Sequence, residues 1–298
     1  MLKKFTALAM GVLLLVSAMA ADMATADMAT LTRQAQSGDA AAQSDLADEY
    51  YQQGNHAKAF EWYTKAANQG EAEAQHNLAD EYYRQGNHAK AVEWYTKAAH
   101  QGYALAQYDL GWMYDKGQGV RQDYQKAFEW YTKAAHQGLA VAQSNLGLMY
   151  RDGLGVRQNY HKAVEWTTKA AHQGYALAQS NLGLMYAEGQ GVRQDYHKAV
   201  EWTTKAVQQG DAAAQYNLGL RYYDGYGVRQ DYHKAFEWFT KAAGQGDANA
   251  QNYLGGMYKY GLGVRQNKST AKHYFGQACD QGAQLACDYY RELNEQGY

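Results

Sequence analysis

Along residues 103–138 apolar side chains recur twice with the spacing of a helix face. Ala106, Leu110, Met113 and Tyr114 fall at i, i+4, i+7 and i+8, and Tyr124, Ala127, Phe128, Tyr131, Ala134 and Ala135 at i, i+3, i+4, i+7, i+10 and i+11. The pattern predicts two amphipathic helices. Between them lies Gly117-Gln118-Gly119-Val120-Arg121-Gln122, whose glycines permit the positive φ of a helix exit. Asp123 is placed to cap the second helix by accepting from its free amides, and Asn159, Asp195, Asp231 and Asn267 repeat that position.

The pair is one unit of an array. Ala-Gln recurs with its glutamine at 43, 75, 107, 143, 179, 215 and 251, and glycines at 38, 70, 102, 138, 174, 210, 246 and 282 keep the same intervals, first of 32 and then of 36 residues. The units run 39–70, 71–102, 103–138, 139–174, 175–210, 211–246 and 247–282, with a closing half-unit at 283–298. Helices of about fourteen residues are marginal alone in water, so each hairpin has to gain its stability by stacking on its neighbours. The expected fold is all-α, a solenoid of seven helical hairpins plus a closing half-repeat. Gly111, Gly147, Gly183, Gly219 and Gly255 fall in mid-helix, where each costs about 1 kcal/mol against Ala, and close packing of the first helix on the second is the expected reason. The two shorter units carry Ala47 and Ala79 there, with tight Gly54-Asn55 and Gly86-Asn87 turns.

Composition narrows the function. The 298 residues include no Pro, 30 Gly, 28 Tyr and 7 Trp, which is not the make-up of a disordered chain. Net charge is −2, with 28 basic against 30 acidic residues. Removing a leader that carries Lys3 and Lys4 takes this to −4, so no basic excess favours nucleic acid as a partner. That leader is residues 1–20: two lysines, an apolar run from Phe5 to Val16, then Ala18-Met19-Ala20 as a cleavage site after Ala20. No cysteine stands near the cut, which argues against a lipoprotein, and no later stretch approaches eighteen apolar residues, so the mature chain is expected to lack a transmembrane segment. The expected location is periplasmic or secreted. Residues 21–38 hold the tandem ADMAT-ADMAT, Ala21 to Thr30, read as a tether, followed by a partial capping helix.

The unit A-x-A-Q-x-x-L-G-x-M-Y-x-x-G-x-G-V-x-x-D-Y-x-K-A-x-E-W-x-T-K-A-A-x-Q-G, as it stands from Ala104 onward, resembles the Sel1-like repeat of the tetratricopeptide superfamily, over about residues 39–298. The first two units, with their short turns, resemble ordinary tetratricopeptide hairpins more closely. The resemblance implies a right-handed α/α superhelix used as an adaptor or scaffold for other proteins, often in bacterial envelopes or at host contact. It implies no general catalytic residue set and no cofactor.

Cys279 and Cys287 are the two cysteines. Export and an even count favour a disulfide over free buried thiols or a redox or metal role, and the spacing resembles the bridge of cysteine-rich Sel1-like proteins. Arg121, Arg157, Arg193, Arg229 and Arg265 recur every 36 residues in the loop. They form a candidate cationic edge for an anionic partner, with local pairing to an acid or a helix carbonyl as the plainer alternative. On the first helices, two residues past each glutamine, stand Asp45, Asn77, Asp109, Asn145, Asn181 and Asn217, with Asn252 or Tyr253 in the last unit. First helices line the concave face in tetratricopeptide-type superhelices, so these resemble a polar ladder that grips an extended peptide. Trp112, Leu148, Leu184 and Arg221, with Tyr108, Tyr216 and Leu220, would add contact area to this candidate groove. The plainer reading is a solvated face duplicated with the rest.

The repeated tryptophans, and Tyr150, Tyr186, Tyr222 and Tyr258, read as packing residues of the repeat. The ten histidines do not pair at i, i+4, and those at equivalent places, such as His100, His136 and His172, lie about a hairpin apart, so no metal site is expected. Ser269-Thr270-Ala271-Lys272 matches an S-x-x-K string, but S-D-N and K-T-G are missing from the sequence, and Ser269 reads more simply as a helix N-cap. The expected function is an exported, non-catalytic scaffold that binds a protein or peptide partner in the envelope or host on its concave face. The alternative is a β-lactam or peptidoglycan-fragment binding or hydrolysing protein, as the resemblance to cysteine-rich relatives implies.

Overall fold

The computed structural model describes residues 27–298, so the leader and the first tether residues lie outside the described residues. Every regular element described is a helix: α1 (27–36), α2 (Ala40–Gln52), α3 (His56–Asn68), α4 (Ala72–Arg84), α5 (His88–His100), α6 (Ala104–Lys116), α7 (Tyr124–His136), α8 (Ala140–Asp152), α9 (Tyr160–His172), α10 (Ala176–Glu188), α11 (Tyr196–Gln208), α12 (Ala212–Asp224), α13 (Tyr232–Gly244), α14 (Ala248–Tyr260), α15 (Lys268–Asp280) and α16 (Gln284–Glu295). Residues 27–30, the end of the pentapeptide tandem, already belong to α1, and the rest of the tandem lies outside the described residues.

The helices form two compact units, residues up to 133 and residues from 134 onward, divided within α7. In the first unit α2 packs on α3, α3 on α4, α4 on α5 and α5 on α6. In the second, α8 to α16 pack consecutively in the same fashion. This is the all-α array of stacked hairpins that the periodicity predicts.

The ends of the helices follow from their capping residues. Asn159, Asp195, Asp231 and Asn267 accept from the amides of Lys162, Lys198, Lys234 and Thr270 at 3.0 Å, and Asp123 does so from Gln125 and Lys126. Asn267 therefore caps α15. Ser269, the second residue of that helix, is not its cap, because the Asx side chain two residues earlier already occupies that position. Gly117, Gly153, Gly189, Gly225 and Gly261 end the first helices in the left-handed conformation.

Close helix packing explains the mid-helix glycines. A Cβ on Gly219 or Gly255 would stand within 2.7 Å of the Phe239 or Phe275 ring, and on Gly111 within 2.9 Å of the Tyr131 ring. At Gly147 and Gly183 it would meet the hydroxyls of Thr167 and Thr203. Beside these glycines the core is small and regular: Ala170, Ala171, Ala178 and Leu182 under Trp202 in one hairpin junction, and Ala235, Phe239, Ala242, Ala250, Leu254 and Met257 in a later one.

Adjacent hairpins are also joined by a polar clasp. Gln179, 6% exposed, donates through Nε2 to the Ala171 carbonyl at 3.1 Å and accepts at Oε1 from Gln209 Nε2 at 2.9 Å. Gln209 in turn reaches the Gly174 carbonyl at 2.8 Å. The pairs Gln69–Gln43, Gln101–Gln75, Gln173–Gln143, Gln245–Gln215 and Gln281–Gln251 repeat the contact. The Sγ atoms of Cys279 and Cys287 are 1.99 Å apart, at disulfide distance, and tie α15 to α16.

Candidate functional site

The first helices carry the candidate groove, and each compact unit holds its own share. In the second unit Asn145, Asn181 and Asn217 recur on α8, α10 and α12, half-buried. Among the described residues their side-chain amides form no hydrogen bond with protein groups. Leu148 and Leu184 lie one turn further along α8 and α10 and are also half-buried, so an unmet amide and an apolar side chain share one helix face twice over. Arg221 departs from this set. It occupies the place where Met149, Met185 and Met257 enter the core, and its guanidinium lies 5.6 Å from the Tyr196 ring centroid. Its charge is engaged with an aromatic ring instead of standing beside Asn217.

In the first unit the corresponding Asn77 and Asp109 are bonded to side chains of neighbouring first helices. Asn77 Nδ2 donates to Asp48 Oδ1 at 3.3 Å, and Asp109 Oδ2 lies 2.8 Å from His76 Nε2. The Tyr63 and Tyr95 hydroxyls donate to Asp48 and Asp80. Burial, with Asp80 and Asp109 adding to it, pushes the Tyr95 hydroxyl well above the ordinary tyrosine range. For His76, burial opposes protonation, but the hydrogen bond with Asp109 and the charges of Asp80 and Asp109 outweigh it, so the imidazole titrates above its usual value. Burial pushes the Asp109 carboxyl up, and the contact with His76 pulls the other way. Trp112 is half-buried and meets the Tyr83 ring edge-on at 5.8 Å. Spacing along the chain does not disclose the grouping of His76, Asp80 and Asp109, because Asp109 comes from the next hairpin. The usable signal is Asp80 at i+4 from His76.

The loop arginines are all exposed. Among the described residues none of Arg121, Arg157, Arg193, Arg229 and Arg265 forms an ion pair, so the local acid pairing that is the plainer alternative from sequence is not found. Four of them line open depressions of 510, 540, 590 and 670 Å³. In each, a lysine of the following helix shares the wall, as Lys234 does with Arg229. The acidic neighbours Asp195 and Asp231 are committed as helix caps.

The repeat unit itself settles the family. The Sel1 repeat pattern matches residues 40–71, 104–139, 140–175, 176–211, 212–247 and 248–282, and the tetratricopeptide repeat pattern matches 72–101. The chain belongs to the Sel1 repeat family. The first short hairpin is thus a Sel1 repeat despite its tight turn, and only the second sits with ordinary tetratricopeptide repeats.

Among solved structures, this Sel1 repeat chain is similar to a protective antigen present in uropathogenic Escherichia coli strains. The identity is 35% and the TM-score 0.80, over 91% of this chain and 60% of the antigen's. The chain therefore spans less than two thirds of that relative. It is also similar to a Sel1 repeat protein from Oxalobacter formigenes, at 32% identity and TM-score 0.73, over 79% of this chain and 96% of that one. A search of curated proteins returns no match. Sel1 repeat proteins serve generally as protein-interaction scaffolds and are typically non-catalytic.

The remaining sequence candidates fall into packing roles. In this Sel1 array His100, His136 and His172 each meet the edge of a tryptophan of the following hairpin, Trp130, Trp166 and Trp202, at 5.1 to 5.3 Å. Those tryptophans are buried on one side and carry Lys133, Lys169 and Lys205 on the other. Tyr150 is buried, whereas Tyr186, Tyr222 and Tyr258 are half-buried. Lys272 Nζ bonds to Asn294 Oδ1 at 2.6 Å and to the Tyr298 carbonyl, not to Ser269. Among the described residues no helix is long and apolar enough to cross a membrane.

Proposed function

We propose that this chain is an exported, non-catalytic scaffold that holds a protein or peptide partner in the envelope or at a host surface. The partner would lie on the face presented by the first helices, the one expected from sequence to be concave. The observation that supports this most is the run of half-buried Asn145, Asn181 and Asn217, whose amides bond to no protein group among the described residues. An extended peptide offers alternating backbone donors and acceptors, the complement of such a row, and Leu148 and Leu184 supply apolar contact beside it. Export rests on the leader pattern of residues 1–20, and the Cys279–Cys287 pair suits an oxidising compartment. The cationic loop edge is a second surface for the same scaffold, fitted to acidic groups.

The test is capture from envelope extracts by the full chain and by the triple variant Asn145→Ala, Asn181→Ala, Asn217→Ala. The expected result is loss of the captured partner with far-UV circular dichroism unchanged. Equal capture by both proteins overturns the assignment to this face.

A further inference from the structure

In a chain built of near-duplicates, a set of departures that converge in space calls for a reason. His76 stands where other hairpins carry Ser44, Tyr108, Ser144, Ser180, Tyr216 and Asn252. Asp80 aligns with Trp112, Leu148, Leu184 and Leu220, sharing its carboxylate only with Asp48, and Asp109 aligns with Asn77, Asn145, Asn181 and Asn217, sharing its carboxylate only with Asp45. His76 Nε2 lies 2.8 Å from Asp109 Oδ2 and 3.9 Å from Asp80 Oδ1, and one ligand atom from each residue lies within 4.8 Å of the others.

The preceding hairpin serves as an internal control. There Asp48 faces Asn77, whose amide donates to it at 3.3 Å, with Ser44 in place of the histidine and Tyr63 playing the part of Tyr95. A neutral amide satisfies that carboxylate. Between Asp80 and Asp109 a second carboxylate replaces the amide, so the group needs a positive charge at its centre. A proton, on the imidazole or on a carboxylate, or a metal ion meets the need. His76 is 6% exposed and so forms a fixed wall, while the Asp80 and Asp109 side chains, 38% and 31% exposed, are open to solvent. His76 Nδ1 is 3.3 Å from Asn77 Oδ1. Donation there would hold Nε2 as the lone-pair nitrogen, the arrangement metal-binding histidines adopt. Donor atoms each about 2.1 Å from an ion lie about 3.0–3.4 Å apart, a spacing that the two measured separations bracket.

We propose that His76, Asp80 and Asp109 bind a divalent transition-metal cation of the zinc type, with water completing its coordination. One imidazole and two carboxylates suit zinc, manganese or iron(II) better than calcium or magnesium. The inference does not depend on the partner reading.

The test is calorimetric titration of the untagged full chain with zinc chloride at pH 7.5, followed by cobalt(II) absorption spectra. One ion per chain is expected. Affinity is expected to fall on the order of tenfold or more in Asp109→Asn, which installs the residue that neighbouring hairpins already carry, and in His76→Gln. The visible cobalt bands should vanish with it. Circular dichroism identifies any variant that misfolds, and Asp109→Asn decides if His76→Gln does. No zinc binding, or binding unchanged in Asp109→Asn, overturns the site and leaves a proton as the occupant.

Discussion

A methyl group added at Gly219 would stand 2.7 Å from the ring of the fully buried Phe239, so one of them would have to shift. Gly219→Ala is therefore expected to destabilise by about 1–3 kcal/mol, the usual cost of overpacking. Gly244 is the contrasting case, since it ends α13 and a methyl placed there would meet nothing within 4 Å. Gly244→Ala should stabilise by about 0.5 kcal/mol through helix propensity alone. Urea unfolding of the two variants reads both, and equal effects would remove the packing explanation. The glutamine clasp belongs to the same scale. Gln179→Ala removes two hydrogen bonds, while the Ala171 carbonyl keeps the Gly174 amide and Gln209 keeps the Gly174 carbonyl, for an expected loss of about 1–3 kcal/mol at the usual net worth of each bond. The exposed Gln208→Ala should stay within about 0.5 kcal/mol, and thermal melts of the two compare them directly. Residue roles are the least legible part of the sequence. Repetition marks Gln43 and its equivalents as special but does not say that a second glutamine 26 or 30 residues later completes each clasp. Arg221 misleads for the opposite reason, because its charge hides a core register that the neighbouring methionines spell out.

Helices and their ends are legible because local chemistry decides them. The Asx caps, the left-handed glycines and the apolar periodicity act within a few residues, and α6 to α15 follow them closely. The His76–Asp109 contact and the histidine-on-tryptophan contacts join residues 30 or more positions apart, which is why they do not emerge from spacing. The last helix illustrates how an element end is secured without repetition. The N-cap of α16 makes no side-chain bond, and the Cys279–Cys287 pair ties the helix to α15. Closing a loop with a sequence separation of 8 is worth about 2.5 kcal/mol in the chain-entropy model. Reduction, or Cys279→Ala with Cys287→Ala, should speed proteolysis of residues beyond 268 while α8 to α13 keep their protection in hydrogen exchange. Unchanged C-terminal proteolysis would show that packing of Phe275, Ala286 and Leu293 alone holds the end.

At the scale of the whole molecule, a duplicated hairpin offers the same polar side chain at the same place again and again, with little chemistry that varies. That is suited to gripping an extended partner and poorly suited to assembling a catalytic centre from unlike groups. The proposed scaffold, with a gripping face and a cationic edge, rests on the Sel1 family assignment, the amides of Asn145, Asn181 and Asn217, and the exposed loop arginines. The most direct measurement is site-specific photocrosslinking in intact cells, with the photoreactive residue placed at Leu184 on the first-helix face or at Arg193 on the loop edge. The expected result is a discrete partner adduct from position 184 and none, or a weaker one, from position 193. Adducts confined to position 193 would contradict the account and move the binding surface to the cationic edge.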